Sequence, residues 1–267
     1  MIDFHNHILP NIDDGADSIE VSLEMLREAE RQGITDIVNT THYKHPKMLG
    51  KEVSYEQIKE EINKLQLLLD ENYISIKLHM GAETFFYDNI IELKNNKLVT
   101  FSNGKYMLIE FMPNYFPKNQ RHVLYELKMA GITPIIAHPE RYRAVQDNIE
   151  IITEWLESGC LIQVDAGSPI GLLGESSRIT SEIIIRNKWC QIIGSDAHNN
   201  KNRNFCLYKS LEYIYKLIGE EANKLVMDNP LSVISGEDII VDINYDDLVE
   251  KNFLDSIREK ISFKNLL

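Results

Sequence analysis

Met1-Ile2-Asp3-Phe4-His5-Asn6-His7 opens the chain, and Gln191-Ile192-Ile193-Gly194-Ser195-Asp196-Ala197-His198 stands near its far end. Each is a short apolar run ending in a pair of potential metal-binding side chains two residues apart. Side chains alternate faces along an extended strand, so His5 and His7 fall on one side, and Asp196 and His198 repeat the device. Five similar runs lie between these two, at residues 36–42, 76–83, 106–111, 133–138 and 161–166. Longer amphipathic segments separate them. That rhythm predicts an α/β fold with a mainly parallel sheet, and seven strands predict a distorted (β/α) barrel of the TIM type.

The intervening segments carry helix signals. Ile19, Leu23, Leu26 and Ala29 recur at helical spacing, with Asp17 placed to cap the helix and Gly33 to end it. Ser54 and Gln57 match a capping box ahead of an amphipathic run reaching Leu69. Further helices are expected at 120–130, 149–158, 175–187 and 205–218. From Asn229 onward, Asn229-Pro230, Ser235-Gly236 and an acidic stretch at 246–250 suggest a change of organisation. The expected division is one catalytic domain over 1–230 and a C-terminal extension over 231–267 packed on the barrel.

Composition narrows the function classes. A chain of 267 residues with 43% hydrophobic and 26% charged residues is an ordinary globular protein. The first residues lack the basic and apolar regions of a secretory leader, and no stretch is long and apolar enough to span a bilayer. Three cysteines, Cys160, Cys190 and Cys206, show no paired spacing, so a disulfide framework is not expected and a cytoplasmic location is. The formal net charge of −13 disfavours a nucleic-acid partner, whose backbone is bound largely by Lys and Arg. Thiol-based phosphate chemistry through a Cys-x5-Arg loop is excluded, because the matching positions are Ala166, Asp196 and Glu212.

The chemistry concentrates at strand ends. His5, His7, His42, Glu83, Glu110, His138, Asp196 and His198 all lie at or just past the C-terminal end of an expected strand, where barrel active sites are built. His45, His79 and His122 fall away from such positions. Glu110 closes the apolar run Tyr106-Met107-Leu108-Ile109, where an unpaired carboxylate would be costly to bury. Singly, each residue has a bland alternative, such as a solvated strand end or a salt bridge to Arg141. Five strand-end histidines together with these acids favour metal coordination. The loop Asp13-Asp14-Gly15 reads equally well as a capped turn or as a source of a ligand.

Taken in order, these blocks resemble the polymerase-and-histidinol-phosphatase (PHP) superfamily, and within it the bacterial tyrosine-protein phosphatases of capsule and exopolysaccharide loci, the CpsB/CapC family. The resemblance runs through residues 1–10, Ile12-Asp13-Asp14-Gly15, Thr41-His42, Gly81-Ala82-Glu83, Leu108-Ile109-Glu110-Phe111, Ile136-Ala137-His138-Pro139-Glu140-Arg141-Tyr142 and Ser195-Asp196-Ala197-His198. It covers nearly all of 1–230, with Asn6 standing where Ser is common. It implies metal ligation by His5, His7, Asp14, His42, Glu83, Glu110, His138, Asp196 and His198, with Glu110 as the bridging ligand and Asp14 preferred over Asp13. Arg141 and Arg203 are implied as a phosphate clamp, since a guanidinium matches phosphate bidentately.

The expected activity is metal-dependent hydrolysis of protein phosphotyrosine, with a bacterial tyrosine autokinase as the implied partner. Two to three divalent ions are expected; the mixed imidazole and carboxylate donors suit manganese, iron or zinc, and the family resemblance puts manganese first. A histidinol-phosphate phosphatase or another small-molecule phosphoesterase would use nearly the same cluster, and a non-catalytic metal-binding scaffold is the alternative from a different class. Phe85, Phe86, Tyr87, Tyr115 and Phe116 follow the metal-bearing strands and read either as a groove for an aromatic ring or as core.

Overall fold

The computed structural model describes residues 1–50, 52–101 and 104–241. Seven strands pair in chain order, all parallel: β1 (Ile2–Asp3), β2 (Asp36–Tyr43), β3 (Lys77–Phe85), β4 (Tyr106–Glu110), β5 (Thr133–Ala137), β6 (Leu161–Asp165) and β7 (Ile192–Gly194). The seam between β1 and β7 is closed beyond the strands themselves. There His7 N donates to Ala197 O at 2.8 Å and Asp196 N donates to His5 O at 2.7 Å, around a single parallel bridge between Asn6 and Ala197. The expected barrel is therefore present.

Both seam strands are shorter than the sequence suggests, for a local reason. Past β1, the Asp3 carboxylate replaces ladder partners: Oδ1 accepts from His5 N at 3.3 Å and Asn6 Nδ2 at 2.9 Å, and Oδ2 accepts from Ser195 N at 3.0 Å. Past β7, Asp196 takes a left-handed backbone at φ 48°. The other five strands match expectation to within two residues at either end.

Nine helices are described: α1 (Ile19–Arg31), α2 (Tyr55–Glu71), α3 (Gln120–Met129), α4 (Arg143–Asp147), α5 (Glu150–Glu157), α6 (Glu175–Arg186), α7 (Leu207–Ile218), α8 (Ala222–Val226) and α9 (Asp228–Ser235). Ser18, one residue later than the expected Asp17, caps α1 by accepting from Val21 N at 3.3 Å. Ser54 caps α2 by accepting from Gln57 N at 3.1 Å, as the capping pattern predicts. The buried faces of these helices, including Met25, Leu26, Leu65, Leu69, Leu127 and Trp155, form the larger core against the outside of the sheet.

A second, smaller core fills the barrel. Phe4, Val38, Tyr106, Leu108, Ile135, Ala137, Leu161 and Ile192 cluster there. On β4 and β6 the period of two then carries the inward face from Tyr106 and Leu108 to Glu110, and from Leu161 to Gln163 and Asp165. Val233 of α9 joins the same interior cluster, and Lys105 Nζ donates to Gly236 O at 2.6 Å while the Tyr106 hydroxyl donates to Glu237 O. Residues 228–237 thus form the floor under the N-terminal strand ends. The rest of the expected extension, with its acidic stretch at 246–250, lies outside the described residues from 242 onward.

Candidate metal centre

The C-terminal strand ends bring together all nine side chains expected to form a cluster. Glu83 of β3 is central: its Oε2 lies 3.3 Å from His5 Nε2, 3.5 Å from His7 Nε2 and 3.1 Å from His42 Nδ1, and its Oε1 lies 2.9 Å from His138 Nε2. Asp196 Oδ1 faces the other side of the first pair, 3.5 Å from His5 Nε2 and 3.4 Å from His7 Nε2. Asp14 Oδ1 stands 3.2 Å from His42 Nε2 and 3.4 Å from His198 Nε2. Glu110 reaches His42 at 3.8 Å and His138 at 3.9 Å.

Close packing of the supporting loops requires glycine at two places. A Cβ on Gly15 would lie 2.1 Å from His7 O and 2.5 Å from His7 Cβ, and one on Gly194 would lie 2.6 Å from His5 Cβ. The two glycines let the first loop and β7 press against the His5–His7 segment. His138, at φ 34°, joins Asp196 in the left-handed region. Such conformations in non-glycine residues persist where the surrounding structure holds them, often at functional sites.

Asp13 and Asp14 divide the work of the first loop. Asp13 Oδ2 lies 2.8 Å from His7 Nδ1 and accepts from His42 N at 3.0 Å, so it braces two histidines from behind. Asp14 turns its carboxylate among the imidazole Nε2 atoms. Gln163 Oε1 similarly holds His5 Nδ1 at 2.9 Å, and the Asp196 carbonyl holds His198 Nδ1 at 2.8 Å. Hydrogen bonds to one ring nitrogen fix the imidazole so that the other can ligate, the usual arrangement behind metal-binding histidines.

The donor set fits divalent cations. His5 Nε2, His7 Nε2, His42 Nδ1, His138 Nδ1 and Glu110 Oε2 are buried without a hydrogen-bond partner, a costly condition for polar atoms that need one. Three- and four-residue groups with mutually close ligand atoms overlap across the cluster: His7, Asp14, His42 and His198; His5, His7 and Asp196; His5, Glu83 and His138; and His42, His45 and Glu110. Mixed imidazole and carboxylate donors of this kind suit manganese, iron or zinc.

Electrostatics separate the acids. Burial alone would raise the Glu83 carboxyl, but the His5 and His42 imidazoles outweigh it and hold the group well below the usual range. Burial likewise opposes ionisation of Asp196, and His198, His5 and Arg141 reverse it. Glu110 is pushed up to about 8 by burial and by the charge of Glu83. A cation between them would remove that repulsion.

Both arginines converge on the outer oxygen of Asp196. Arg141 Nη1 donates to Asp196 Oδ2 and lies 3.4 Å from Asp165 Oδ2; Arg203 Nη2 donates to Asp196 Oδ2 at 2.6 Å. Taken over the whole side chain, Arg141 is 28% exposed and Arg203 35% exposed, so both lie at the edge of the cluster. Glu140 supports this corner from beneath, its Oε1 accepting from Asp165 N at 3.0 Å and Ser168 Oγ at 2.6 Å.

Some contributors escape the strand-end reading. Asp165 and Gln163 were legible only through the inward alternation of β6, and Asp13 only as half of an ambiguous loop pair. His45 stands apart from the strand ends in sequence, yet it is buried with Nε2 3.4 Å from Glu110 Oε2. Of the other two histidines, His79 pairs with Asp36 at 2.9 Å near the opposite end of the barrel, and His122 is exposed on the outer face of α3. Phe86 and Phe116 pack with Phe111 in the core, Phe85 meets the His45 ring edge-on, Tyr87 bonds Lys44, and Tyr115 is exposed. All three cysteines are buried free thiols, with Cys160 pushed up to about 12 by burial.

Barrel and cluster together define a protein of the barrel metallohydrolase type, with donors for more than one ion at the C-terminal strand ends. The capsular polysaccharide synthesis CpsB/CapC family model matches residues 1–235, and the chain belongs to that family. It is 36% identical over 208 residues to the putative tyrosine-protein phosphatase CapC of Staphylococcus aureus, covering 78% of this chain and 80% of that one. It is 33% identical over 232 residues to the tyrosine-protein phosphatase YwqE of Bacillus subtilis, covering 86% and 89%. A crystal structure from the pair YwqE of Bacillus subtilis and CpsB of Streptococcus pneumoniae, described as unique metal-dependent tyrosine phosphatases, superposes with a TM-score of 0.85 at 30% identity, over 91% of this chain and 97% of that one.

Proposed function

We propose that this chain is a metal-dependent protein-tyrosine phosphatase of the PHP superfamily, hydrolysing phosphotyrosine without a covalent enzyme intermediate. The observation that carries this reading is the convergence of buried, unpartnered imidazole and carboxylate atoms beside two arginines, in a chain whose relatives are named tyrosine phosphatases. His5, His7, Asp14, His42, Glu83, Glu110, His138, Asp196 and His198 would hold two to three ions, manganese first with iron or zinc as alternatives. Bound divalent ions supply a water acidified to about pKa 7 and charge neutralisation at the phosphoryl oxygens.

The chain's own groups do the rest. Arg141 and Arg203 offer guanidinium N–H groups to the phosphate from the open side of Asp196, and Asp165 keeps Arg141 oriented. Asp13 and Gln163 hold His7 and His5 in the ring orientation that ligation needs. Asp196, held ionised by His198, His5 and Arg141, joins the cluster to the clamp. Among the described residues no helix is long and apolar enough to cross a membrane, and the proposed setting is the cytoplasm, where the phosphorylated tail of a tyrosine autokinase is the proposed substrate.

The discriminating experiment compares phosphate release from a phosphotyrosine peptide and from histidinol phosphate by manganese-loaded protein. Preferential turnover of the peptide supports the proposal. Preference for histidinol phosphate would keep the centre and move the substrate to the small-molecule class, and no turnover of either would favour a binding role.

A further inference from the structure

The ring-nitrogen partners of four histidines at the centre, His5, His7, His198 and His45, divide them into two kinds. Nδ1 of His5, His7 and His198 each faces an acceptor, respectively Gln163 Oε1, Asp13 Oδ2 and the Asp196 carbonyl. The Gln163 assignment is supported by its own Nε2, which donates to Val164 O at 2.9 Å. With a proton on Nδ1, Nε2 of these rings presents a lone pair, the state that a metal requires. His45 is the reverse. Its Nδ1 accepts from the backbone N–H of Lys47 at 3.1 Å, capping the short turn Pro46–Met48. A backbone N–H can only donate, so that nitrogen carries no proton and a neutral ring must carry it on Nε2.

The loop is built to hold the ring this way. Lys44 takes a left-handed backbone at φ 55°, and its ammonium is tied to the Tyr87 hydroxyl at 3.0 Å and to Glu92 at 2.9 Å. That bend returns His45 to the centre, where its ring lies 4.5 Å from that of His42 and 5.2 Å from Phe85. Nε2 then stands 3.4 Å from Glu110 Oε2, near enough to feel the carboxylate, yet Glu110 Oε2 has no hydrogen bond in the structure. Nε2 thus lies beside the Glu110 carboxylate at the edge of the site, with no hydrogen-bond acceptor among the described residues.

We infer that His45, although its atoms lie close enough to His42 and Glu110 to suggest a ligand, is a fixed hydrogen-bond donor whose Nε2–H binds an oxygen of the phosphoryl group. This rests on the phosphomonoesterase reading above, and it adds a substrate-binding residue in the loop after β2. His45→Asn is the informative variant: its side-chain oxygen keeps the cap on Lys47 N, a role asparagine fills well, while the Nε2 donor is deleted.

Two measurements test the inference. In metal-free and zinc-loaded protein carrying 15N-labelled histidine, the His45 ring should show its proton on Nε2 in both states; loss of that proton on zinc loading would make His45 a ligand and overturn the inference. In manganese-loaded protein titrated with inorganic phosphate, His45→Asn should keep the wild-type metal content and bind phosphate about tenfold more weakly, the worth of one hydrogen bond to a charged group. Loss of an ion, unchanged phosphate affinity, or no phosphate binding by the wild type would each overturn it. Phosphate itself is the probe, so a failure to hydrolyse phosphotyrosine with phosphate discrimination intact would sink the tyrosine-phosphatase reading and leave the donor in place.

Discussion

The two ends of the barrel are built from the same strands and obey opposite rules. At the N-terminal end, Val233 closes an apolar plug, Lys105 and Tyr106 spend their polar atoms on the backbone of residues 236 and 237, and His79 is paired with Asp36. At the C-terminal end, buried ring nitrogens and a carboxylate oxygen are left without partners. Burying polar groups unpaired costs free energy, so one end is organised for stability and the other for something that must be bound.

That contrast can be broken most sharply at Asp196. Its Oδ1 faces His5 and His7 while its Oδ2 holds both arginines, so Asp196→Ala should lower kcat by about a thousandfold or more and reduce bound metal, while the circular dichroism spectrum keeps its helical shape. A variant retaining a tenth of wild-type activity would show that the centre lies elsewhere. Arg141→Ala should act on binding rather than on metal content, raising KM for a phosphomonoester by about 10- to 100-fold, the loss of one charge-assisted contact. An unchanged KM would demote Arg141 to a structural partner of Asp196 and Asp165.

At the other end, Val233→Ala removes apolar contacts from the barrel floor and should lower the free energy of unfolding by about 2 kcal/mol. Its kcat/KM should stay within about twofold of wild type once allowance is made for the folded fraction. Lower activity in the fully folded variant would mean that the floor and the metal centre are coupled rather than independent.

The same division explains what could be read from the sequence. Strand ends are legible because apolar runs are local signals and alternation fixes which side chains face inward, so His5, His42, Glu110 and Asp196 were placed by pattern alone, and Ser54 with Gln57 marked the start of α2. Resemblance to a family supplied what pattern left open, above all the choice of Asp14 and the arginines. His45 was missed because its position depends on the backbone of Lys44 and on a latch to Tyr87 and Glu92 more than forty residues away. Asp3 was missed as the tie across the seam for a similar reason, since it joins β1 to Ser195 only after the barrel closes. Loop paths and seam contacts are tertiary, and no local period announces them.

Metal ions held at the C-terminal strand ends should carry turnover. The most direct test is to strip the protein with chelator, return manganese in measured equivalents, and follow bound metal and phosphate release from a phosphotyrosine peptide together. The stripped protein should be inactive, and activity should recover to saturation at two to three ions per chain. Full activity in metal-free protein, or saturation of metal binding with no release of phosphate, would contradict that role for the metal.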